Sequence, residues 1–211
     1  TGGADAFLVK YDPNGNVLWA RRGVSGSNDQ AKAVGVDDAG NVYLMGVFWG
    51  GSVTFESTTL TNAGGRDVFI VKYDTNGVLQ WARNSSGSGD EHAWSGEVDN
   101  NGNVYVTGYI TGTAQFGGTS LTSSGGKDVF IAKYDTNGNP VWAKKGGGTI
   151  DDEAYGASVD SSGNAYLMGK FSSSTFTIDG TSLNKVGGDD DAFIAKYNST
   201  GTMQWVRKIG G

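Results

Sequence analysis

Asp67-Val68-Phe69-Ile70-Val71-Lys72-Tyr73-Asp74 decides how this chain reads, because it returns. The same block stands at 5–12 and 128–135, and a fourth copy at 191–198 ends in Asn198. Phe7, Phe69, Phe130 and Phe193 mark it at intervals of 62, 61 and 63 residues. A turn and then a Trp follow each copy: Trp19, Trp81, Trp142 and Trp205. A second block, Val98-Asp99-Asn100-Asn101-Gly102-Asn103-Val104-Tyr105, alternates with the first and recurs at 36–43 and 159–166. Recurrence at a fixed period is the signature of a repeat architecture. The chain therefore holds half a repeat (1–24) and three whole ones, about 25–86, 87–147 and 148–211, in one repeat domain.

Each repeat resolves into four main strands, predicted in the first at 31–37, 41–48, 67–73 and 79–83. The links inside each pair, Asp-x-x-Gly-Asn or Asp-x-Asn-Gly, are hairpin turns: Gly supplies the positive φ and the Asp carboxylate accepts the turn's own N–H groups. The second and third strands are apolar on both faces, as in Val42-Tyr43-Leu44-Met45, so sheets must cover them on both sides. A radial stack of blades provides that cover. Ala31, Ala33 and Gly35 share one face of the first strand, as do Ala154, Gly156 and Ser158. Small side chains suit an innermost strand, and the Trp of the fourth strand suits the wider outer end. Glu97 departs from the small-residue pattern. Extra segments at 52–61, 113–122 and 175–184 read as a small hairpin inserted at one face of each blade. The expectation is an all-β, β-propeller-like array of four-stranded antiparallel blades, three and a half in number.

Composition agrees. The 36 glycines in 211 residues are more than twice the usual ~7%, and no stretch keeps helical apolar spacing. Without cysteine, disulfides and thiolate metal sites are excluded. A net charge of −6 argues against nucleic acid or an anionic membrane as partner. No apolar run approaches the ~20 residues of a membrane span. The chain opens in mid-repeat at Thr1-Gly2-Gly3, which reads as a mature or excised segment.

At these two motifs, and at Phe116-Gly117-Gly118-Thr119-Ser120-Leu121-Thr122 in the insert, the chain resembles the bacterial seven-bladed β-propeller repeat family (SBBP-type repeats). The inserted form is similar to versions in large secreted proteins of the Bacteroidetes. The resemblance implies an extracellular or cell-surface setting, a binding or scaffolding role, and no defined reaction.

Candidate chemistry is sparse. The single histidine, His92, is replaced by Gln30 and Glu153 in the other repeats, so a nucleophilic triad has nothing to rest on. Acids sit mostly in repeated turns, against a paired-carboxylate glycosidase. The segments entering the first strands are acidic in every repeat. Asp29, Asp90, Glu91, Asp151 and Asp152 are hard-oxygen ligands that suit Ca²⁺ if those loops converge at the axis; otherwise they cap strand ends. Trp49, Trp94, Tyr109 and Tyr155 offer aromatic platforms for a glycan but do not fall on one repeated position. The base two residues after each Trp (Arg21, Arg83, Lys144, Arg207) is expected to pair with a third-strand acid such as Asp67 of its own blade.

The leading function is a non-catalytic extracellular interaction or structural scaffold. A lectin-like propeller and a propeller lyase or glycosidase with an axial active site are the alternatives. Three and a half blades are too few for a ring of four to eight. Partners are therefore expected to include other propeller repeats, of the same or another chain, besides a protein or glycan ligand.

Overall fold

A computed structural model describes residues 3–210; Thr1, Gly2 and Gly211, which belong to the repeat boundaries given above, lie outside the described residues. The chain begins with the hairpin β1 (Phe7–Tyr11) and β2 (Val17–Ser25). The next repeat runs β3 (Asp29–Val36), β4 (Val42–Trp49), β5 (Ser52–Phe55), β6 (Thr58–Thr61), β7 (Arg66–Tyr73) and β8 (Leu79–Asn84). The third comprises β9 (Ser86–Gly87), β10 (Asp90–Val98), β11 (Val104–Thr111), β12 (Thr113–Phe116), β13 (Thr119–Thr122), β14 (Asp128–Tyr134) and β15 (Pro140–Gly147). The last comprises β16 (Asp152–Val159), β17 (Ala165–Phe171), β18 (Thr175–Ile178), β19 (Thr181–Asn184), β20 (Asp191–Tyr197) and β21 (Met203–Ile209). The described residues contain no helix long and apolar enough to cross a membrane.

The main strands pair in the orders β3-β4-β7-β8, β10-β11-β14-β15 and β16-β17-β20-β21, which are the four-stranded antiparallel blades expected. Strand β10 lies beside β3 on one side and β16 on the other, so the first strands of the blades are innermost. Their small residues are required there. A Cβ on Gly35 would stand 2.4 Å from Val98 Cγ2, and one on Gly96 would stand 2.3 Å from Met45 Sδ. Glu97 escapes this crowding by remaining half-buried, its Oε1 accepting from the Val98 N–H at 3.3 Å. Both faces of the second and third strands are buried in the blades β3-β4-β7-β8 and β10-β11-β14-β15, where Tyr43, Tyr73, Phe69, Tyr105 and Phe130 are wholly enclosed; in the last blade β17 and β20 bury one face, and Met168 on the other is exposed.

The inserted hairpin is placed differently from the expectation. It does not decorate its own blade but extends the outer edge of the preceding one. β5 pairs with β2 (Gly23↔Phe55, Ser25↔Val53), and β18 pairs with β15 (Gly146↔Ile178). β12 pairs with β9, directly after the outer strand β8 (Ala114↔Gly87). The hairpin thus clasps one blade to the next and buries Phe55, Phe116 and Phe176 beneath it.

A second clasp recurs at each junction. The turn after β7 is held by Asp74, whose Oδ1 accepts from the N–H groups of Asn76 and Val78. The Trp81 indole lies on the equivalent turn of the next blade. It donates through Nε1 to the Thr136 carbonyl (3.0 Å), with Gly138 beneath the ring at φ 76. A Cβ at Gly138 would be 2.8 Å from Trp81 Cδ2, so that position needs glycine for space as well as conformation. Lys72 Nζ donates to the same carbonyl at 3.0 Å, and Arg83 Nε donates to the Gly138 carbonyl at 3.1 Å.

The expected pairing of that base with its own blade's acid is therefore corrected. Arg21 reaches the Gly77 carbonyl (2.7 Å) and Glu56, and Lys144 lies 3.6 Å from Asp179. The base shares the face of its Trp, and that face meets the next blade. The following residue points the other way and takes the acid: Asn84 with Asp67, Lys145 with Asp128 and Lys208 with Asp191.

Candidate functional site at the axial mouth

In every inner strand the ladder slips by one residue. Ala31 faces Gly46 and Ala33 faces Met45, leaving Lys32 over. Ala93 faces Gly108 and Ser95 faces Thr107, leaving Trp94 over. Ala154 faces Gly169 and Gly156 faces Met168, leaving Tyr155 over. These are β-bulges, which re-aim a side chain out of the pleat. The bulge fixes the residue opposite. A Cβ at Gly46, Gly108 or Gly169 would lie 2.1, 1.8 or 2.1 Å from the carbonyl oxygen of Gln30, His92 or Glu153. The glycine that ends Val104-Tyr105-Val106-Thr107-Gly108 is thus a backbone requirement.

The three extra residues form a file across the blades. Lys32 Nζ lies 4.9 Å from the Trp94 ring centroid, and the Trp94 and Tyr155 rings are 6.2 Å apart. Trp94 is 38% and Tyr155 43% exposed, enough to meet a ligand. Trp94 and Tyr155 therefore share one repeated position, whereas Trp49 and Tyr109 stand at two others. Of the others, Tyr109 is buried behind His92, and Trp49 packs against the core beside Arg66.

Charged groups brace the file. Arg66 Nε donates to Asp90 Oδ1 (2.7 Å), and its Nη2 donates to Asp90 Oδ2 and to the Tyr109 hydroxyl (2.8 Å). Burial pushes the Asp90 carboxyl up, but the Arg66 fork outweighs it and holds the group below the usual range. Glu153 accepts from Trp94 Nε1 and from Lys127 Nζ, both at 3.1 Å, and Lys127 also lies 4.6 Å over the Tyr109 ring. His92 stacks on Tyr109 at 5.3 Å and packs against Trp94 at 4.2 Å. Burial, with Arg66 and Lys32 nearby, pushes its pKa down to about 4, so the neutral imidazole serves as an aromatic filler.

The five acids proposed as ligands occupy two repeated positions. Asp90 and Asp151 accept from the N–H groups of Arg66 (2.9 Å) and Lys127 (3.0 Å), tying each blade to the one before. Asn28 does the same for Ala4 at 2.9 Å. Asp29, Glu91 and Asp152 are buried at three separate junctions. Asp152 accepts from Gly148, Ser172 and Ser173. Burial raises Asp29 to about 6, with Asp5 adding to the effect. Among the described residues no three His, Asp or Glu side chains gather where one cation would hold them together.

Glu91 and Asp67 are fully buried and face each other across a junction, with Glu91 Oε1 and Asp67 Oδ1 otherwise unpartnered. Burial first, then their mutual repulsion, raises Glu91, so the pair holds a proton. A carboxyl raised in the folded state contributes stability that is complete at acid pH. That contribution is lost as pH climbs from the ordinary carboxylate range towards the raised value. Glu91→Gln keeps a donor towards Asp67 and removes the ionisation. The variant should be more stable than the parent at pH 8 by about 1–3 kcal/mol, the usual cost of an unmatched buried polar group. That advantage should vanish near pH 4. Thermal melts across pH 4–8 check this, and identical slopes for the two proteins would rule it out.

The blades, their clasps and the axial file define a β-propeller-type repeat protein. Among proteins of known sequence, the chain is similar over its full length, at 27% identity, to an uncharacterized WD repeat-containing protein (L264) of Acanthamoeba polyphaga mimivirus, and covers 19% of that protein. Over 67% of its length it is 28% identical to the regulatory protein FlaEY of Caulobacter vibrioides, covering 15% of it. The chain thus spans less than a fifth of either relative. No family model matches it.

Proposed function

We propose that this chain is a non-catalytic interaction module of the bacterial SBBP-type propeller-repeat family, working outside the cell or on its surface, which binds a partner protein at its axial mouth. The observation that carries this reading is a contrast between repeated and varied positions. Residues that pack blades are the same in each repeat: Phe69, Phe130 and Phe193, or the clasp tryptophans Trp19, Trp81 and Trp142. Residues at the mouth change: Lys32, Trp94 and Tyr155 on the bulges; Gln30, His92 and Glu153 beside them; Arg66, Lys127 and Asp190 at the third-strand entries. Repeat proteins build binding surfaces by holding the packing constant and varying one face. Partly exposed Trp and Tyr braced by Arg and Lys are also the side chains that dominate protein interfaces. The extracellular setting is supported by the likeness of the motifs to repeats of secreted bacterial proteins.

Panning a random peptide library on the immobilised chain tests this, with the Trp94→Ala/Tyr155→Ala double variant in parallel. Peptides enriched on the parent should bind the variant about ten-fold or more weakly, as expected when interface anchors are removed. Peptides indifferent to the variant would move the binding face elsewhere. Binding confined to a glycan array, and lost in the same variant, would make the mouth a lectin site, since exposed paired aromatics also stack on sugar rings.

A further inference from the structure

We infer that the segment of a partner protein taken up at the axial mouth is acidic: an Asp or Glu side chain within it docks on Arg66 and Lys32, and an apolar neighbour fills the cleft beside Trp49. This rests on the axial reading above and names the chemistry of its partner. The argument begins with the polar atoms of the mouth that are already engaged. Asp90 is held by the Arg66 fork. Glu153 accepts from Trp94 Nε1 and Lys127 Nζ. Asp151 accepts from the Lys127 N–H, and Asp190 accepts from Lys170 Nζ at 2.7 Å and from the Ser172 hydroxyl. The acids that border the file therefore have their donors.

The cations do not all have acceptors. Arg66 uses Nε and Nη2 on Asp90 and the Tyr109 hydroxyl, so three bonds fix the plane of its guanidinium. Its Nη1 has no acceptor among the described residues, and neither has Lys32 Nζ. Arg66 reaches Asp90 of the next blade and Lys32 reaches over Trp94 of that same blade, so both lie at a junction between two complete blades. Burial pushes the Lys32 pKa down, and the Arg66 charge adds to it. Two mutually repelling cations with N–H donors unused make a place for a carboxylate, and such charge-assisted bonds are about twice as strong as neutral ones.

The apolar part lies beside Arg66. Trp49 stands opposite it in the ladder of β4 and β7. The Trp49 ring is half-buried and, with Gly65 and Arg66, lines an open cleft. The equivalent residues are Thr111 and Ser172, so Trp49 is one more position of the mouth that varies between repeats. Aromatic surface thus runs from Trp49 on the blade of the two cations to Trp94 and Tyr155 on the next two. A chain end docked at the cations would cover only part of that surface, whereas a side-chain carboxylate in mid-segment lets the segment run across all of it. A polyanion fits less well, because Asp90, Asp151 and Glu153 stand beside the same cations.

A random library of short peptides, acetylated and amidated so that no terminal charge contributes, tests the inference when selected on the parent and counter-selected on Trp94→Ala/Tyr155→Ala. Peptides that need the two aromatics should carry Asp or Glu next to an apolar residue. Resynthesised with Asn or Gln in place of that acid, each should bind about ten-fold or more weakly, the effect expected on losing an interface anchor. Lys32→Gln should cause a loss of the same order with the acidic peptide and little with its amide counterpart. Trp49→Ala should weaken both alike. Raising the salt concentration should weaken the acidic peptide more than the amide form. Selected peptides without an acid, an amide form that binds as tightly as the acid, a Lys32→Gln variant that weakens both forms equally, or a Trp49→Ala variant that binds both as the parent does would each overturn the proposal and leave the axial mouth as the binding face. A parallel library with free carboxyl ends that alone yields binders would move the carboxylate to a chain end, and overturn it as well. Finding no peptide that depends on Trp94 and Tyr155 would remove the axial reading itself, and this proposal with it.

Discussion

Trp81→Ala should lower the stability of the chain by about 3–5 kcal/mol, the usual cost of emptying a buried aromatic site. For a chain of this size that is a fall in melting temperature of roughly 6–20 °C. The indole is only 9% exposed, packs against Tyr43, and lies on Gly138 of the next blade with its N–H bonded to Thr136. Truncation leaves a void between two sheets and removes the donor from a turn carbonyl. Arg83, 5.9 Å from the ring centroid, loses its packing surface at the same time. Trp142→Ala, at the next junction and 8% exposed, should cost about as much by the same mechanism. Denaturant melts of both, beside Trp205→Ala, check the explanation. If all three tryptophans cost the same, contact with the following turn is not what the first two contribute.

Gly108→Ala should be comparably severe, at about 3 kcal/mol or more, the upper range for forcing extra volume into a packed site. The new methyl would sit 1.8 Å from the His92 carbonyl oxygen and 3.1 Å from Ala93 Cα, and both neighbours are backbone. No rotamer change relieves that contact, so β10 and β11 must separate at the bulge. Trp94 is aimed by that bulge, so the variant should lose the axial arrangement along with stability. Gly118→Ala is the control: nothing lies within 4 Å of its added methyl, and the change should stay within about 0.5 kcal/mol. Equal melts for the two alanine variants would show that the inner strands run without the slip.

Much of this architecture was legible in the sequence because its causes are local. The Asp-x-x-Gly turns carry their own hydrogen bonds, and the spacing of Phe69, Trp81 and their copies fixes the period. The small residues of the inner strands foretold crowding that Gly35 and Val98 display. What escaped notice depends on contacts between repeats. The inserted hairpin pairs with the blade before it, and no local pattern states which edge a strand will choose. The partner of Arg83 is a carbonyl of the next blade, whereas alternation along a strand reports only that Trp81 and Arg83 share a face.

The axial file was hidden for a different reason. Lys32, Trp94 and Tyr155 stand 62 and 61 residues apart, the period of the repeat itself. A search for recurring residue types passes over a position where the types differ. Aligning the repeats and asking where they disagree would have found these positions, with Arg66, Lys127 and Asp190. The acids at Asp29, Glu91 and Asp152 recur visibly in the sequence, but their burial at separate junctions follows from the packing of whole blades.

The central claim is that three bulges align Lys32, Trp94 and Tyr155 at the axial mouth, and nuclear Overhauser contacts to the Trp94 indole test it most directly. The account predicts contacts from that indole to the side-chain methylenes of Lys32 and to the ring of Tyr155, on two different blades. It also predicts upfield-shifted Lys32 methylenes that return to ordinary values in Trp94→Ala. An indole whose contacts stay within its own blade, with unshifted Lys32 methylenes, would contradict the arrangement.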